Sequence, residues 1–451
     1  MLEPKDNPNP KVMVDPPRPL RWLMSKLTSR RITSKHLADN RAKFETQRKA
    51  AGAAHRVEYF HQLDDPYSHL TAQVLARFAA RYDIELVPHL VRVSGGKHQP
   101  ELEKLATWAR ADACMVAPHF DLSFPDGAGT VPDATFQSSA ARALCSKSDA
   151  EFVAAIADVS AAQWNGGASG LTSDLATEAE ASTALDEGSA RLQELGHYSG
   201  AMFYYGGEWY WGVDRLFHLE QRLMDLGLRR DKGADYLVPR PEIDVSGVDA
   251  SNLMLHFYPS FNSPYTSIIY DKTIETAKAC NIHLAHKPVL PMIMRGVAAS
   301  QSKVRYIMLD TKREADFFGV PFGPFVTPIG TPTRKAYSLL PWARSQGKDV
   351  DLLRTLLRHA WSEARPLYKT AAMRKAVEEA GLNWTEASTI IGDEAWKHET
   401  ERNQDEMVEG MGLWGVPSYR LSGPGDEPDL AVWGQDRLWL IAAEIKRRAV
   451  R

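Results

Sequence analysis

Cysteine is scarce in this chain of 451 residues: there are three, Cys114, Cys145 and Cys280, and no two form a Cys-x-x-Cys pair. Neither a disulfide framework nor a zinc site is readable from them, and a reducing compartment fits such usage best. Long apolar runs are missing too. No stretch of about 18 apolar residues occurs, so no membrane span is expected. The opening MLEPKDNPNPKVMVDPPRP is proline-rich rather than apolar, so no signal peptide is expected and the chain is assigned to the cytoplasm. Charge of one sign is also lacking. With 54 Lys and Arg against 57 Asp and Glu, the formal net charge of −3 gives no reason to expect nucleic acid or an anionic membrane as the main partner. There is no phosphate-cradling glycine loop and no metal-ligand spacing, so no metal is expected.

What is present is an ordinary globular composition, 44% hydrophobic and 25% charged, enough for two or three cores. It also contains one element written twice. VEYFHQLDDPYSHLTAQVLARFAARYDIELVPHLV at 57–91 and LHFYPSFNSPYTSIIYDKTIETAKACNIHLAHKPV at 255–289 align without a gap, at the offset of 198 that separates Asp65 from Ser263. A repeat of this length predicts a tandem duplication. Each copy reads strand, short loop, [Asp/Ser]-Pro-Tyr-[Ser/Thr], helix, strand, which places one polar side chain at a helix N-terminus.

Each copy then continues through a helical stretch. In the second it runs from about 333 to 404, with apolar residues at spacings of three and four as in VDLLRTLLRHAWSEA. Each copy closes on a hairpin and a helix, Trp211-Gly212-Val213-Asp214-Arg215 matching Trp433-Gly434-Gln435-Asp436-Arg437. The order β-α-β, helical insertion, β-β-α predicts an α/β fold of two tandem thioredoxin-like domains, each a mixed sheet carrying an inserted helical subdomain. The expected boundaries are a basic, proline-containing extension over 1–54, a first domain over 55–228, a charged linker over 229–249 and a second domain over 250–451. The basic stretch 19–49 fits either a surface-seeking amphipathic helix or an extension packed on the first domain or a partner.

Four motifs of the second copy occur in the order seen in a known family: an aromatic strand into Ser263-Pro264-Tyr265-Thr266, Phe318-Gly319-Val320-Pro321, Gly415-Val416-Pro417-Ser418, and Trp433-Gly434-Gln435-Asp436-Arg437. The chain resembles the DsbA-like thioredoxin superfamily. Within it, the likeness is to the 2-hydroxychromene-2-carboxylate isomerases and kappa-class glutathione transferases, over nearly all of 250–451 and more weakly over 55–228. The resemblance implies glutathione as cofactor and an aromatic-derived electrophile as small-molecule substrate.

Ser263 with Pro264 is what any helix start would use, since the serine oxygen accepts a free N–H and proline has the right φ. The resemblance adds that this hydroxyl and the helix end hold the glutathione thiolate. A proline in a strand beside a hairpin suits an edge. By resemblance Pro417 is instead cis, and the Val416 backbone pairs with that of glutathione. Asp436 favours a helix first turn in any protein. In the family it contacts the γ-glutamyl ammonium, Gln435 adding a hydrogen bond, while Arg437 is an alternative partner that holds the turn.

The departures matter as much. Asp65, Ser68, Ser263 and Thr266 stand where redox relatives carry Cys-x-x-Cys, so dithiol exchange is not expected. The first copy has Asp65 and Pro66 at its helix start, Ala201-Met202 in place of the Val-Pro, and Asp214 in the last motif. It is expected to be a degenerate site, with the Asp65 carboxylate stable at the helix end but repelling a second anion. His256, His283 and His286 are expected to be structural. Lys303, Arg305 and Tyr306 fit a site for an acidic substrate as well as a solvated face. Cys280 and Trp209-Tyr210-Trp211 fit packing. The first functional reading is a glutathione-dependent isomerase or transferase, the two domains forming an intramolecular pseudo-dimer. The alternatives are an oxidoreductase-like protein working through bound glutathione, and a non-catalytic thioredoxin-fold binding protein.

Overall fold

The computed structural model describes residues 13–93, 100–166, 175–233, 235–297 and 299–449. The proline-rich stretch 1–12 therefore lies outside the described residues. The chain divides into two compact units, Asp39–Pro241 and Met1–Ala38 with Glu242–Arg451. The basic stretch near the N-terminus does not stand as a separate segment. It forms α1 (Arg18–Arg31) and α2 (Ser34–Ala50), and the boundary between units falls inside α2.

The N-terminal unit continues with β1 (Arg56–Gln62), α3 (Pro66–Arg81), β2 (Glu85–Val91), α4 (Leu102–Val116), α5 (Ala134–Leu144), α6 (Asp149–Trp164), α7 (Glu178–Glu194), β3 (Met202–Tyr205), β4 (Glu208–Trp211) and α8 (Gly212–Asp225). Its sheet has the order β2-β1-β3-β4, with β2 parallel to β1 and the hairpin antiparallel. Six of the seven β1 residues are buried, as expected for a central strand covered on both faces. Gly206 and Gly207, both at positive φ, make the two-residue turn whose twist suits a hairpin. Thr177 and Glu180 form a capping box at the start of α7, a signal already visible as Thr-x-x-Glu. The charged segment after α8 is tied down rather than free: Arg230 N donates to Arg81 O, and Leu237 N donates to the Glu220 carboxylate at 2.9 Å.

The C-terminal unit holds β5 (Met254–Tyr258), α9 (Pro264–Ala279), β6 (His283–His286), α10 (Gln301–Phe318), α11 (Thr331–Ser338), α12 (Leu340–Ser345), α13 (Asp349–Trp361), α14 (Thr370–Glu379), α15 (Trp384–Ile390), α16 (Trp396–Asp405), β7 (Ser418–Ser422), β8 (Leu430–Trp433) and α17 (Leu438–Ala449). The sheet order β6-β5-β7-β8 and the strand directions repeat those of the other unit. The fold is thus two mixed α/β sheets of thioredoxin-like order, each interrupted by helices between its second and third strands. In this unit α1 lies against 325–329. Arg21 donates to Thr327 O at 3.0 Å and to Ile329 O at 2.6 Å, and Ser25 Oγ accepts from Thr327 N at 3.1 Å.

An ion cluster joins helix to sheet in each unit, with opposite polarity. Glu58 of β1, buried, accepts two bonds from Arg191 of α7, at 2.7 and 2.9 Å, and pairs with His89 at 3.0 Å. At the same offset of 198, the C-terminal unit has His256 and Lys287. Here the acid comes from the helical layer: Glu406, after α16, is bonded by Lys287 and by Arg420 of β7.

Candidate functional site

Ser263 is the N-cap of α9, with Pro264 in the first turn. Its Oγ accepts from Thr266 N at 3.1 Å, and its hydroxyl donates to Val416 O at 3.3 Å. The Val416–Pro417 peptide is cis, and Gly434 N donates to Pro417 O at 2.9 Å, joining the start of β7 to the end of β8. Gly415 is required by close approach, since a Cβ there would overlap the Trp433 ring, which packs on Trp414 with centroids 4.9 Å apart. That contact brings the backbone ahead of the proline against the α9 N-terminus. Val416 is half-exposed and Pro417 buried.

Asp436 lies in the short turn Gln435–Arg437 before α17, its side chain 20% exposed. Arg437 reaches it at 3.9 Å and donates to its carbonyl, the turn-holding role considered from sequence. Gln435 is buried, and its amide donates to Glu314 at 2.6 Å. This tie is one the sequence did not reveal. Tyr419, buried below, has its phenol pushed up by desolvation with the Asp436 charge adding to it.

The helical insertion supports the site through α10. Asp310 and Glu314, one turn apart and both fully buried, hold respectively the first turn of α9 and the turn before α17. Tyr265 donates to Asp310 at 2.8 Å, and Arg313 donates to the other Asp310 oxygen at 2.7 Å. In the N-terminal unit Tyr67 donates to Asp112 at the same 2.8 Å, and 112 and 310 are again 198 apart. A gapless comparison of the two segments carried past residue 91 would have found this pair. The neighbouring backbone agrees as well: Gln62 N donates to Ser68 Oγ at 3.2 Å, and Ser260 N to Thr266 Oγ1 at 3.3 Å.

The counterpart site differs in two ways from expectation. Strand pairing sets Phe60 opposite Met202 and Tyr258 opposite Ser418. Since Phe60 and Tyr258 correspond, Ala201 alone stands where Pro417 does, one residue away from the sequence alignment of Ala201-Met202 with Val416-Pro417. The correction comes from register, which a gapless motif match cannot see. Ala201 takes φ 55°, and its carbonyl accepts from Gly212 N at 2.6 Å, as Pro417 does from Gly434. Secondly, the Asp65 carboxylate is not a settled anion. It caps α3 by accepting from Ser68 N at 2.8 Å and Ser68 Oγ at 2.7 Å, yet desolvation outweighs these bonds and pushes its pKa up to about 6. Pro66 follows it as the buried first residue of α3, and Asp214 sits half-buried in the first turn of α8.

The remaining candidates divide. His256 lies in the ion cluster, 3.2 Å from Arg420, and burial lowers it to about 4. His286 bridges Tyr270 and Asp349 at 2.9 and 2.8 Å, while His283 is exposed at the head of β6. In the first turns of α10, Lys303 is lowered to about 8 by burial, Arg305 is exposed and Tyr306 is buried. Cys280 is buried. Among the described residues no group of three or more His, Cys, Asp or Glu is placed to hold a metal, and no helix is long and apolar enough to cross a membrane. With oxygen at 65, 68, 263 and 266, the two helix starts provide no thiol of their own.

Residues 254–446 match the family of DSBA-like thioredoxin domains. The C-terminal half therefore carries a DSBA-like thioredoxin domain. Among solved structures, the chain is similar to a 2-hydroxychromene-2-carboxylate isomerase at 18% identity, covering 43% of this chain and 95% of that one with a TM-score of 0.36. It is also similar to a probable DsbA oxidoreductase from Streptomyces coelicolor, at 16% identity, 43% and 89% coverage and a TM-score of 0.34. A third is the cytosolic disulfide reductase DsbM from Pseudomonas aeruginosa with GSH, at 16% identity, 43% and 98% coverage and a TM-score of 0.30. No curated protein matches the sequence.

Proposed function

We propose that the C-terminal unit binds glutathione and is an isomerase or transferase of the 2-hydroxychromene-2-carboxylate isomerase type, acting on an aromatic-derived electrophile. The observation that carries this reading is the Ser263 hydroxyl at the N-terminus of α9, 3.3 Å from the carbonyl of the half-exposed Val416 and beside cis-Pro417. A hydroxyl donor and a helix end favour an anion there, which is the requirement for keeping a bound thiol ionised. Half-exposed Val416 stands where the resemblance puts pairing with a peptide-like ligand, and the one-fifth-exposed Asp436 suits a ligand ammonium. Gln435 does not fit the role the resemblance gave it, because its amide is buried on Glu314.

Bound glutathione would supply a reversible nucleophile for a conjugated carbonyl compound. The chain's own contribution would be to hold the sulfur at Ser263, to fix the ligand backbone at Val416 and to orient the reactants, with most of the rate gain coming from electrostatics and positioning. The N-terminal unit has the Asp65 carboxyl where the hydroxyl would be, a group that is ionised above about pH 6 and would repel a second anion, and we assign it no thiolate. A second reading rests on a specific observation: Ser263 is 5% exposed with both its hydrogen-bonding directions in use, as in a purely structural cap. On that reading the groove holds a peptide without chemistry.

Calorimetry of the whole protein with glutathione, beside Ser263→Ala and Asp436→Ala, separates the two. Saturable stoichiometric binding, weakened by each substitution, is the expected result. No heat of binding up to millimolar glutathione would refute the thiol site and leave the peptide groove.

A further inference from the structure

An amphipathic helix packed on a protein normally buries its apolar face. α1 does the reverse. Its buried residues are Arg21, Ser25 and Ser29, spaced by four, which fasten it to 325–329 through hydrogen bonds. Leu20, Leu23, Met24 and Leu27, spaced as one helical stripe, lie on the other side and are 36, 47, 53 and 45% exposed. Trp22, 47% exposed, stands beside them under the Lys26 ammonium, 4.3 Å from its ring centre. A stripe of large apolar side chains turned to water is costly, and patches of this kind mark surfaces that something covers.

The charge around the stripe says what kind of surface. From 18 to 38 the chain has six Lys and Arg and no Asp or Glu, although acids outnumber bases over the whole molecule. Arg21 is taken up by Asp15 at 2.6 Å, whereas Arg18, Lys26, Arg30, Arg31 and Lys35 are exposed. Long cationic side chains beside an apolar stripe, with a tryptophan at the edge, suit the boundary between anionic headgroups and acyl chains, where stems sink and charges stay at the phosphates. A second copy of the chain fits less well, because a symmetric contact would set two cationic helices against each other. Nucleic acid would satisfy the charges and leave the leucines uncovered.

We infer that α1 is a peripheral membrane-binding helix that lies on an anionic lipid surface, with Leu20, Leu23, Met24 and Leu27 inserted and the cations on the headgroups. The polar fastening of its other face makes it a fixed platform on the C-terminal unit. The proposal concerns attachment only and is independent of what the Ser263 groove binds.

The test is flotation of the full-length protein with phosphatidylcholine vesicles and with vesicles containing about 30% phosphatidylserine. Capture by the anionic vesicles alone is expected. Leu23→Ser with Leu27→Ser, and separately Arg30→Glu with Arg31→Glu, should each lower it by about tenfold or more. Because all four positions are exposed, melting temperature should not move, and a shift would disqualify that variant in favour of the other pair. No capture by anionic vesicles at low salt overturns the inference. So does capture that ignores the leucine substitutions, which would reduce it to surface charge. A dimer in light scattering that those substitutions turn to monomer, without vesicle binding, would assign the stripe to a second copy.

Discussion

Replacing Asp65 by Asn should stabilise the N-terminal unit at neutral pH, against the usual expectation for a helix cap. Asn keeps an oxygen for the Ser68 amide and caps as well as Asp, so the substitution removes mainly the charge. The folded carboxyl has its pKa raised from the ordinary 3.8 to about 6 because desolvation exceeds the stabilisation from the cap bonds. A raised acid pKa means the ionised form disfavours folding. The penalty is absent below the unfolded pKa, grows as pH rises through the window between 3.8 and about 6, and is complete above it. A shift of this size corresponds to about 3 kcal/mol when fully developed and about 1 kcal/mol near pH 4.5. For a unit of this size, 3 kcal/mol is roughly 6–12 °C in melting temperature. Scanning calorimetry of both proteins from pH 4.5 to 7.5 should show the Asn variant's advantage widening with pH. An advantage that is constant with pH, or a less stable variant at neutral pH, would show that the Ser68 bonds and the helix dipole outweigh burial, and would refute the argument.

Four further outcomes follow from the geometry. Glu58→Gln should cost about 2–3 kcal/mol at neutral pH by removing the buried charge that Arg191 and His89 bond. Desolvation of Glu58 is outweighed by those two, which hold it down at about 2, while Arg191 keeps the exposed Glu194. The wild-type advantage is present above the ordinary carboxylate value and fades as pH falls toward 2, so urea titrations that differ equally at low and neutral pH would contradict it. Gly415→Ala should destabilise the C-terminal unit by about 3 kcal/mol or more and abolish glutathione binding, because the new methyl overlaps Trp433; an unchanged melt would mean the backbone there yields freely. Ser263→Cys should give a thiol that iodoacetamide alkylates with a pKa clearly below about 8.5, since it would sit at the α9 N-terminus. A pKa at or above that of a free thiol would count against the electrostatics invoked for glutathione. Tyr265→Phe should cost about 1–3 kcal/mol by removing a donor from buried Asp310, read as a drop in the denaturant midpoint, with no loss expected if a water takes its place.

The α/β order and the α9 start were legible because they are local: the aromatic strand β5, Ser263-Pro264 as a cap, and a strand-helix-strand pattern present in both units. Val416-Pro417 was legible as a motif. Three things were not. The register at Ala201 depends on which β1 residue faces Met202, and pairing across some 140 positions leaves no trace in the motif itself. The Asp310–Tyr265 and Glu314–Gln435 ties depend on how α10 packs, and as sequence they look like charges on a helix face. The rise in the Asp65 pKa is a matter of burial, whereas the cap rule that predicted a stable anion counts only hydrogen bonds and the helix end. The basic stretch reads as a surface-seeking amphipathic helix or as an extension packed on the first domain or a partner. α1 packs, but on the C-terminal unit rather than on the first domain, because Arg21 finds Asp15 and the carbonyls of Thr327 and Ile329 to bury against.

A chain that carries two sheets of one strand order must avoid assembling a helical insertion on the wrong sheet while folding, an error that shape alone does not prevent. The two ion clusters discriminate between them. α7 brings a cation and finds an acid in Glu58, whereas the segment after α16 brings an acid and finds the cations Lys287 and Arg420. Exchanged, Arg191 would face two cations and Glu406 would face Glu58, each pair partly desolvated, where like charges repel by several kcal/mol. The inverted polarity thus favours the closing of each insertion on its own sheet over the other.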